Sequence, residues 1–558
     1  MAHAVQNLYP GVKFGIGPAI DNGFYYDFKL DKNFTPEDLP KIESKMRELI
    51  KKNLPFGKEV ISKEKAQEIF KNQPYKLELI KELPEKEITV YKSGDFLDLC
   101  GGPHIKSTSD IPADAFKLQK TAGAYWRGSE KNPMLQRIYG LAFENKKALE
   151  DYLKLQQEAE KRDHRILGQK LDLFLMDDEV GAGLPIWQPK GTILRKIITD
   201  YLYEELSRQK YLWITSPHIG KLLLWKISGH WENYRENMYS PIEIEEEKYM
   251  IKPMNCPFHV KAYKAKIRSY RDLPIKYAEF GTVYRYERSG TLHGLTRVRG
   301  FTQDDAHVIC REKQLQEEVE KLLKAGFKIM KAFGFKNYDI YLSTRPKKYA
   351  GTLQGWEKAT NTLKAILEKL KLDFQEDPGG GVFYGPKIDI KIKDSLNRPW
   401  QCTTIQVDFN LPDRFQMEYV NEKGEKEKPL MIHRALLGSL ERFIGVLLEH
   451  YSGNLPFWLS PVQIQVIPIS IKHKKYAKEI TEKLAENGLR CELKDGSETI
   501  SKKIREGETQ KIPYLLIVGD REKKAKSVAV RARGKGDLGM MKLNKFIEKA
   551  KIESAQKS

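Results

Sequence analysis

The 558-residue chain has only five cysteines, an odd number thinly spread, which excludes the disulfide framework of a small secreted domain. Long apolar runs are also missing. The longest lies near Phe443–Leu448, far short of the ~20 residues a membrane-spanning helix requires. The opening residues Met1-Ala-His-Ala-Val-Gln-Asn-Leu-Tyr9 place no basic stretch ahead of an apolar one, so no secretory signal is expected. There is no long-period repeat and no low-complexity tract. A reducing, cytoplasmic setting without a membrane partner fits these shortages. Acidic residues are the minority charge, 76 against 96 basic, for a net +20. Residues 461–558 hold 23 basic and 13 acidic residues, half of the whole excess. Such a concentration favours a polyanion partner through counterion release. Solvated faces of a lysine-rich chain would give the same arithmetic.

What is present reads as several domains. Residues 1–143 are mixed α/β, punctuated by Gly and Pro. Residues 144–168 are charged and helical, with a narrow apolar stripe at Leu149, Tyr152 and Leu153 that suits an inter-domain connector. Residues 169–460 contain period-two strands. Ile388, Ile390 and Ile392 alternate with Lys387, Asp389, Lys391 and Lys393, and Ile405, Val407 and Phe409 alternate with Thr404, Gln406 and Asp408. That pattern predicts an antiparallel sheet with one packed and one polar face. The polar face suits either solvent or the floor of a site. Residues 461–558 alternate strand and helix after Ser460-Pro461, as a small α/β module.

Two segments stand out chemically. As a strand, Arg297–His307 puts Phe301, Gln303, Asp305 and His307 on one face, which is poor core material but suits a polar ligand carrying an aromatic base. Arg434–Tyr451 reads as a helix with an apolar stripe through Leu436, Leu437, Leu440, Phe443, Ile444, Leu447 and Leu448. Arg442 lies opposite that stripe, flanked by Gly438 and Gly445. Glycine costs ~1 kcal/mol against alanine in a helix, so close approach of phosphate or of another backbone is the expected reason.

Further motifs carry a resemblance. Phe280-Gly-Thr-Val-Tyr-Arg-Tyr-Glu-Arg288 resembles motif 2 of class II aminoacyl-tRNA synthetases, Gly438-Ser-Leu-Glu-Arg-Phe443 resembles motif 3, and Ile214-Thr-Ser-Pro217 resembles motif 1. Ser228–Tyr234, Lys252–Pro257, Tyr384–Asp389 and Met431–Arg434 resemble the threonyl-tRNA synthetases more narrowly, in the family's order over nearly the whole chain. The resemblance implies an α+β multidomain fold. It comprises an α/β editing-like domain (1–143), a linker helix (144–168), a class II antiparallel-sheet catalytic domain (169–460) and an α/β anticodon-binding domain (461–558). It also implies a homodimer that joins threonine to tRNA(Thr) through a threonyl-adenylate, with ATP and Mg2+. An alternative is a synthetase-derived RNA-binding or regulatory protein without aminoacylation.

By the same resemblance, Arg285 would clamp the α-phosphate and Arg442 the γ-phosphate, roles that fork-shaped guanidinium groups suit. Phe301 would stack on adenine, Glu287 would fix its edge, and Arg297 would also bind ATP. Lys387 and Gln406 would meet the reaction centre, and His230 and Gln406 would serve transfer to the ribose. Asp305 and Tyr384 would take the threonine ammonium, beside Met254 and Gln303. Cys256, His307 and His433 match the family's ligands for one Zn2+ per subunit, with the fourth position open to substrate. These ligands are 51 and 126 residues apart, and spacing alone would not find them. His259 forms a competing Cys-x-x-His pair with Cys256.

A site built for the threonine hydroxyl rejects valine, but serine lacks only a methyl, worth ~1–3 kcal/mol, so a second, hydrolytic site is expected. Asp98, Cys100 and His104 resemble half of the family's editing site, and His3 resembles the second His of a preceding His-x-x-x-His pair. The first His and the family's ubiquitin-like domain would fall before Met1, which implies impaired editing by this polypeptide. Arg505, Glu522 and Arg531 sit where the family contacts the anticodon. Asp495–Ser501 departs from the family there at Ser497, Thr499 and Ser501.

Overall fold

The computed structural model describes residues 1–557 as two units that divide in sequence between Glu158 and Ala159. The first contains, in chain order, α1 (Ala2–Leu8), β1 (Gly23–Lys29), α2 (Asp38–Lys51), β2 (Gly57–Ser62), α3 (Pro74–Glu82), β3 (Glu87–Ser93), β4 (Phe96–Leu99), β5 (Phe116–Tyr125) and β6 (Met134–Ala142). Strand β6 lies between β1 and β5, antiparallel to both. Val5, Phe28, Ile42, Leu118 and Ile138 pack together between this sheet and the helices α1 and α2. A second antiparallel sheet, β2-β3-β4, delivers the chain to Cys100.

The charged segment at the division between the units forms two helices rather than one. Helix α4 (Lys146–Lys161) stops, and α5 (His164–Lys170) begins at Asp163, whose carboxylate accepts the Arg165 N–H at 2.8 Å. An N-cap of this kind competes with continuing the helix through the same residue. The second unit continues through α6 (Pro189–Arg208), β7 (Leu212–Trp213), α7 (Cys256–Lys264), β8 (Ile275–Tyr284), β9 (Gly300–Cys310), α8 (Leu315–Ala332), β10 (Tyr338–Ser343), α9 (Leu353–Lys369), β11 (Gln375–Asp377), β12 (Lys387–Lys393), β13 (Pro399–Asp408), β14 (Leu430–Ser439) and α10 (Leu440–Tyr451). The eight strands pair in the order β7-β8-β9-β14-β13-β12-β10-β11. All pairs are antiparallel except the two edge pairs, β7 with β8 and β10 with β11.

The alternation has the expected consequence. Ile388, Ile390, Ile392, Ile405 and Val407 are buried in one core with Leu322, Leu363, Leu440 and Phe443 of the covering helices. Lys387, Asp389 and Gln406 belong to the other face. At ~25 cal/mol per Å2 of buried apolar surface, that packed face is what holds the polar one in place.

The helix expected over 434–451 begins only at Leu440. Residues 430–439 are instead strand β14, paired with both β9 and β13. The Asp304 carboxylate accepts the N–H groups of Leu436, Leu437 and Gly438 at 2.7, 3.0 and 2.8 Å, and Ser439 Oγ then accepts the Arg442 N–H at 3.1 Å as the helix cap. Leu436 and Leu437 imitate a helical stripe in sequence but reach the core from the strand. Gly438 has φ +79°, and a Cβ there would lie 3.2 Å from the Cys402 carbonyl oxygen. A Cβ on Gly445 would lie 3.4 Å from the His164 ring, so its small size serves protein packing rather than phosphate.

The last part contains β15 (Ile464–Pro468), α11 (Lys474–Glu486), β16 (Cys491–Leu493), α12 (Ile500–Thr509), β17 (Tyr514–Val518), β18 (Ser527–Ala532), β19 (Gly536–Lys542) and α13 (Leu543–Gln556). Its sheet, β16-β15-β17-β18-β19, is parallel around β15 and antiparallel thereafter. No helix among the described residues is long and apolar enough to cross a membrane.

Candidate active site

Antiparallel pairing of β9 with β14 sets His307 directly opposite His433. Their Nε2 and Nδ1 atoms face one another at 3.0 Å. Cys256, at the start of α7, brings its Sγ in, and the three ligand atoms lie within 4.8 Å of one another, all on buried residues. The remaining ring nitrogens are engaged. His433 Nε2 is 2.8 Å from Asp408 Oδ2, His307 Nδ1 is 2.9 Å from His259 Nδ1, and His259 Nε2 is 3.1 Å from Glu279 Oε2.

These contacts assign the protons by hydrogen-bond logic. A carboxylate accepts, so His259 donates through Nε2–H and its Nδ1 must accept. His307 therefore donates through Nδ1–H, and His433 donates through Nε2–H. Each is left with a lone pair, and the two lone pairs point at each other across 3.0 Å. Such an arrangement is repulsive unless a cation lies between them. Burial, reinforced by the Asp305 and Asp408 carboxylates, pushes the Cys256 thiol well above its ordinary value, so it too needs a cation to ionise. Burial, with His259, His433 and Arg434 nearby, holds His307 well below the usual imidazole range, in the neutral form that binds metals. One thiol and two imidazoles with fixed tautomers fit zinc with an open position. His259 is thus not a competing ligand but the group that orients His307. Its i+3 spacing from Cys256 was the only sequence signal it offered.

Glu279 is itself held in place. Burial opposes its charge, but bonds from His259 and the Ser216 N–H, with the Lys252 charge 3.6 Å away, outweigh that and keep the carboxyl below its usual value.

The donor set opens into a cavity of about 520 Å3. As period two requires, Phe301, Gln303, Asp305 and His307 all line it, together with Arg285, Met254, Tyr384, Gln406 and Arg442. A bulge between Gln303 and Asp305 shifts the β9–β14 register there and re-aims the side chains. Asp305 accepts from Asn255 Nδ2 at 3.0 Å, a support that no spacing in the sequence announces. The Tyr384 hydroxyl donates to Gln406 at 2.5 Å, and its ring stacks on His433 with centroids 4.8 Å apart. The Arg285 guanidinium lies over Phe301, 5.1 Å from the ring centroid, with Met254 Sδ at 3.4 Å. Arg442 is fixed by its Nε donating to the Thr296 carbonyl at 3.0 Å. Burial, and the charges of Arg285 and Arg297, push Arg442 below its ordinary value. An entering anion would relieve that repulsion.

Four expected residues lie off the cavity wall. Glu287 accepts from Arg297 at 3.0 Å in the 285–299 loop. Lys387, cross-strand from Gln406, pairs with Asp389 at 2.6 Å. His230 is fully buried, with Nδ1 2.7 Å from Ser228 Oγ and Nε2 3.9 Å from Cys256 Sγ, and burial drives it down to about 3.

In the first unit, His104 Nε2 lies 3.2 Å from Cys100 Sγ, and Asp98 pairs with the buried Lys76 at 2.6 Å and with the Tyr26 hydroxyl. His3 instead bonds Asp95 at 2.7 Å and stacks on Phe96. Among the described residues, His3, Cys100 and His104 do not form a ligand-type cluster within 4.8 Å. In the last part Arg505 is exposed on α12, Arg531 pairs with Glu508 at 3.1 Å, and Glu522 accepts the Gly519 N–H at 2.9 Å. Thr499, one of the departures from the family's pattern, caps α12 by accepting the Lys502 N–H at 3.3 Å.

Family models match three segments of the chain. Residues 88–139 match the threonyl and alanyl tRNA synthetase second additional domain, residues 239–451 the tRNA synthetase class II core domain (G, H, P, S and T), and residues 463–553 an anticodon binding domain. A threonine–tRNA ligase from Sulfurihydrogenibium sp. (strain YO3AOP1) is 54% identical over 99% of this chain and 86% of its own length. One from Dehalococcoides mccartyi (strain CBDB1) is 53% identical over 96% and 91%. The crystal structure of the RNA binding domain of threonyl-tRNA synthetase from Cryptosporidium parvum Iowa II is similar with a TM-score of 0.68 at 43% identity, covering 70% of this chain and 98% of that one. The chain belongs to the threonine–tRNA ligase family of class II aminoacyl-tRNA synthetases.

Proposed function

We propose that this chain activates L-threonine with ATP, supplied as its Mg2+ complex, and transfers it to tRNA(Thr). The observation that carries the reading is the shape of one cavity. Two lone-pair imidazoles and a buried thiol converge in it, and two arginines fixed by backbone and ring contacts line the same space. Cys256, His307 and His433 would hold one Zn2+ per subunit, which when bound supplies a Lewis acid for the threonine amino and hydroxyl groups.

The remaining work is positioning and charge stabilisation. Asp305, steadied by Asn255, and the Tyr384 hydroxyl receive the ammonium, with Met254 and Gln303 alongside. The threonine carboxylate is thereby aimed at the α-phosphorus, and pyrophosphate leaves as the new P–O bond forms. Arg285 takes the charge on the α-phosphate and Arg442 that on the γ-phosphate, while Phe301, Glu287 and Arg297 hold the nucleotide. Gln406 on the cavity wall, with Lys387 cross-strand from it, would meet the reaction centre. His230, kept neutral by burial, and Gln406 serve transfer to the terminal ribose.

Outside the cavity, Arg505, Glu522 and Arg531 would contact the anticodon, and Asp98, Cys100 and His104 would form an editing-like site whose hydrolysis of Ser-tRNA(Thr) is impaired, with His3 engaged by Asp95. A homodimer is proposed through motif 1 (Ile214–Pro217), just before which Tyr203 of α6 and Leu212 of the edge strand β7 are half exposed. The test is charging of tRNA(Thr) by the zinc-analysed chain with threonine and with serine, beside threonine-dependent ATP–pyrophosphate exchange. Stable threonine charging supports the reading. Accumulating Ser-tRNA(Thr) would show that proofreading fails. No exchange and no charging, despite bound zinc and tRNA, would favour an RNA-binding protein without aminoacylation.

A further inference from the structure

A second cluster of ligand-type side chains lies apart from the zinc donor set. Asp163, His164 and Glu449 bring ligand atoms within 4.8 Å of one another. Protein groups already occupy those atoms. His164 Nδ1 is 2.6 Å from Glu449 Oε1, and its Nε2 accepts the Leu295 N–H at 2.9 Å. Glu449 Oε2 accepts from Arg398 at 2.6 Å, and both Asp163 oxygens accept from Arg165. A metal would have to break the His164–Glu449 bond and the tautomer that accepts the Leu295 N–H, so these contacts suit a structural role instead.

Its location indicates that use. His164 is the first residue of α5, Leu295 belongs to the 285–299 loop between β8 and β9, and Glu449 lies on α10, about two turns beyond Arg442. His164 is completely buried. The chain leaves space for it, since a Cβ on Gly294 would fall 2.2 Å from its Nε2. The residues after Leu295 are the loop's grips on Arg442 and Glu287. The Thr296 carbonyl holds Arg442 at 3.0 Å, and Arg297 holds Glu287 at 3.0 Å.

We propose that His164 is a positioning residue for the nucleotide half of the site. By donating Nδ1–H to Glu449 and accepting the Leu295 N–H, it locks the 285–299 loop against α10, so that Arg442, Arg297 and Glu287 are set before ATP arrives. The inference rests on the ATP role proposed above for these residues. His164 makes no bond to the strand residues that hold the zinc donors, so its effect is confined to ATP.

The test uses the full-length, zinc-loaded chain in ATP–pyrophosphate exchange, varying ATP and threonine separately. For His164→Leu the KM for ATP is expected to rise about tenfold or more, since misplacing positioning groups by about 1 Å can cost about 100-fold. The KM for threonine and the zinc content stay within about twofold of the unmutated chain. His164→Gln, whose amide offers a donor and an acceptor, recovers most of the ATP affinity. Equal rises in both KM values, or a folded His164→Leu chain with unchanged KM for ATP, overturn the proposal. Should His164→Leu fail to fold, Glu449→Gln carries the test, with an expected rise of about two- to fivefold in the KM for ATP alone. An unmoved value there overturns the proposal. If the unmutated chain shows no exchange, the functional reading fails instead. The same ATP comparison is then made by equilibrium binding of a non-hydrolysable ATP analogue, with the same expected ratios and the same refuting result.

Discussion

Replacing His259 by leucine should weaken zinc binding without unfolding the chain. The variant removes the acceptor for His307 Nδ1–H and one of the donors to Glu279. Glu279 remains satisfied, because Ser216 donates to it through N–H at 2.7 Å and through Oγ–H at 2.9 Å. The cost therefore falls on His307. A buried N–H without a partner is worth about 1–3 kcal/mol. The imidazole can escape that cost by moving its proton to Nε2, the atom that faces His433, and a protonated Nε2 cannot ligate. Loss of such an outer partner typically lowers metal affinity about 10- to 100-fold, or roughly 1.4–2.7 kcal/mol. Zinc affinity would be read by competition with a chromophoric chelator, with circular dichroism to confirm folding. The KM for threonine should rise in parallel while the KM for ATP stays put. His259→Gln, which keeps an acceptor and a donor, should lose less. A folded His259→Leu chain with unaltered zinc affinity would refute the tautomer argument.

Other outcomes follow from the same geometry. Arg442→Lys keeps a charge but loses the fork that receives a phosphate, so threonine activation should fall about 10²–10³-fold with threonine affinity unchanged in exchange kinetics. Stripping zinc with a chelator should abolish threonine-dependent exchange yet leave ATP binding intact by calorimetry, because Thr296, Phe301 and Met254, not the zinc donors, hold the arginines; a parallel loss of ATP binding would contradict that independence. For Glu449, burial opposes the charge but bonds from His164, with the Arg398 charge, hold the carboxyl below its ordinary value of 4.5. A depressed carboxylate contributes stability that is complete above the unfolded value and disappears as pH falls through the folded one. The Tm difference between the unmutated chain and Glu449→Gln should thus be constant near neutrality and shrink below about pH 4.5; a gap that widens on acidification would show the sign to be wrong.

Much of the site was legible in the chain because its signals are local. Alternation alone predicted that Phe301, Gln303, Asp305 and His307 share a face, and all four line the cavity. The polar face of β12 and β13 was read the same way. Local signals also misled where a backbone partner intervened. Leu436 and Leu437 continue the helical spacing of Leu440 and Phe443, yet pairing with β9 and β13 and three N–H bonds to Asp304 make that stretch a strand. The linker read as one helix because nothing in its periodicity marks Asp163 as a cap.

The sequence by itself determined the domain chemistry, the motif order and which faces are polar, since these depend on residues a few positions apart. Only the tertiary structure decided what those residues do together. His307 and His433 become partners through strand register, Asp408 and the His259–Glu279 pair choose which of their nitrogens are free, and His164 joins three segments that no spacing connects. Register and burial are properties of the folded sheet. They set tautomers and ionisation through contacts between residues tens to hundreds of positions apart, which is why the donor set and its supports emerge only when the chain is folded.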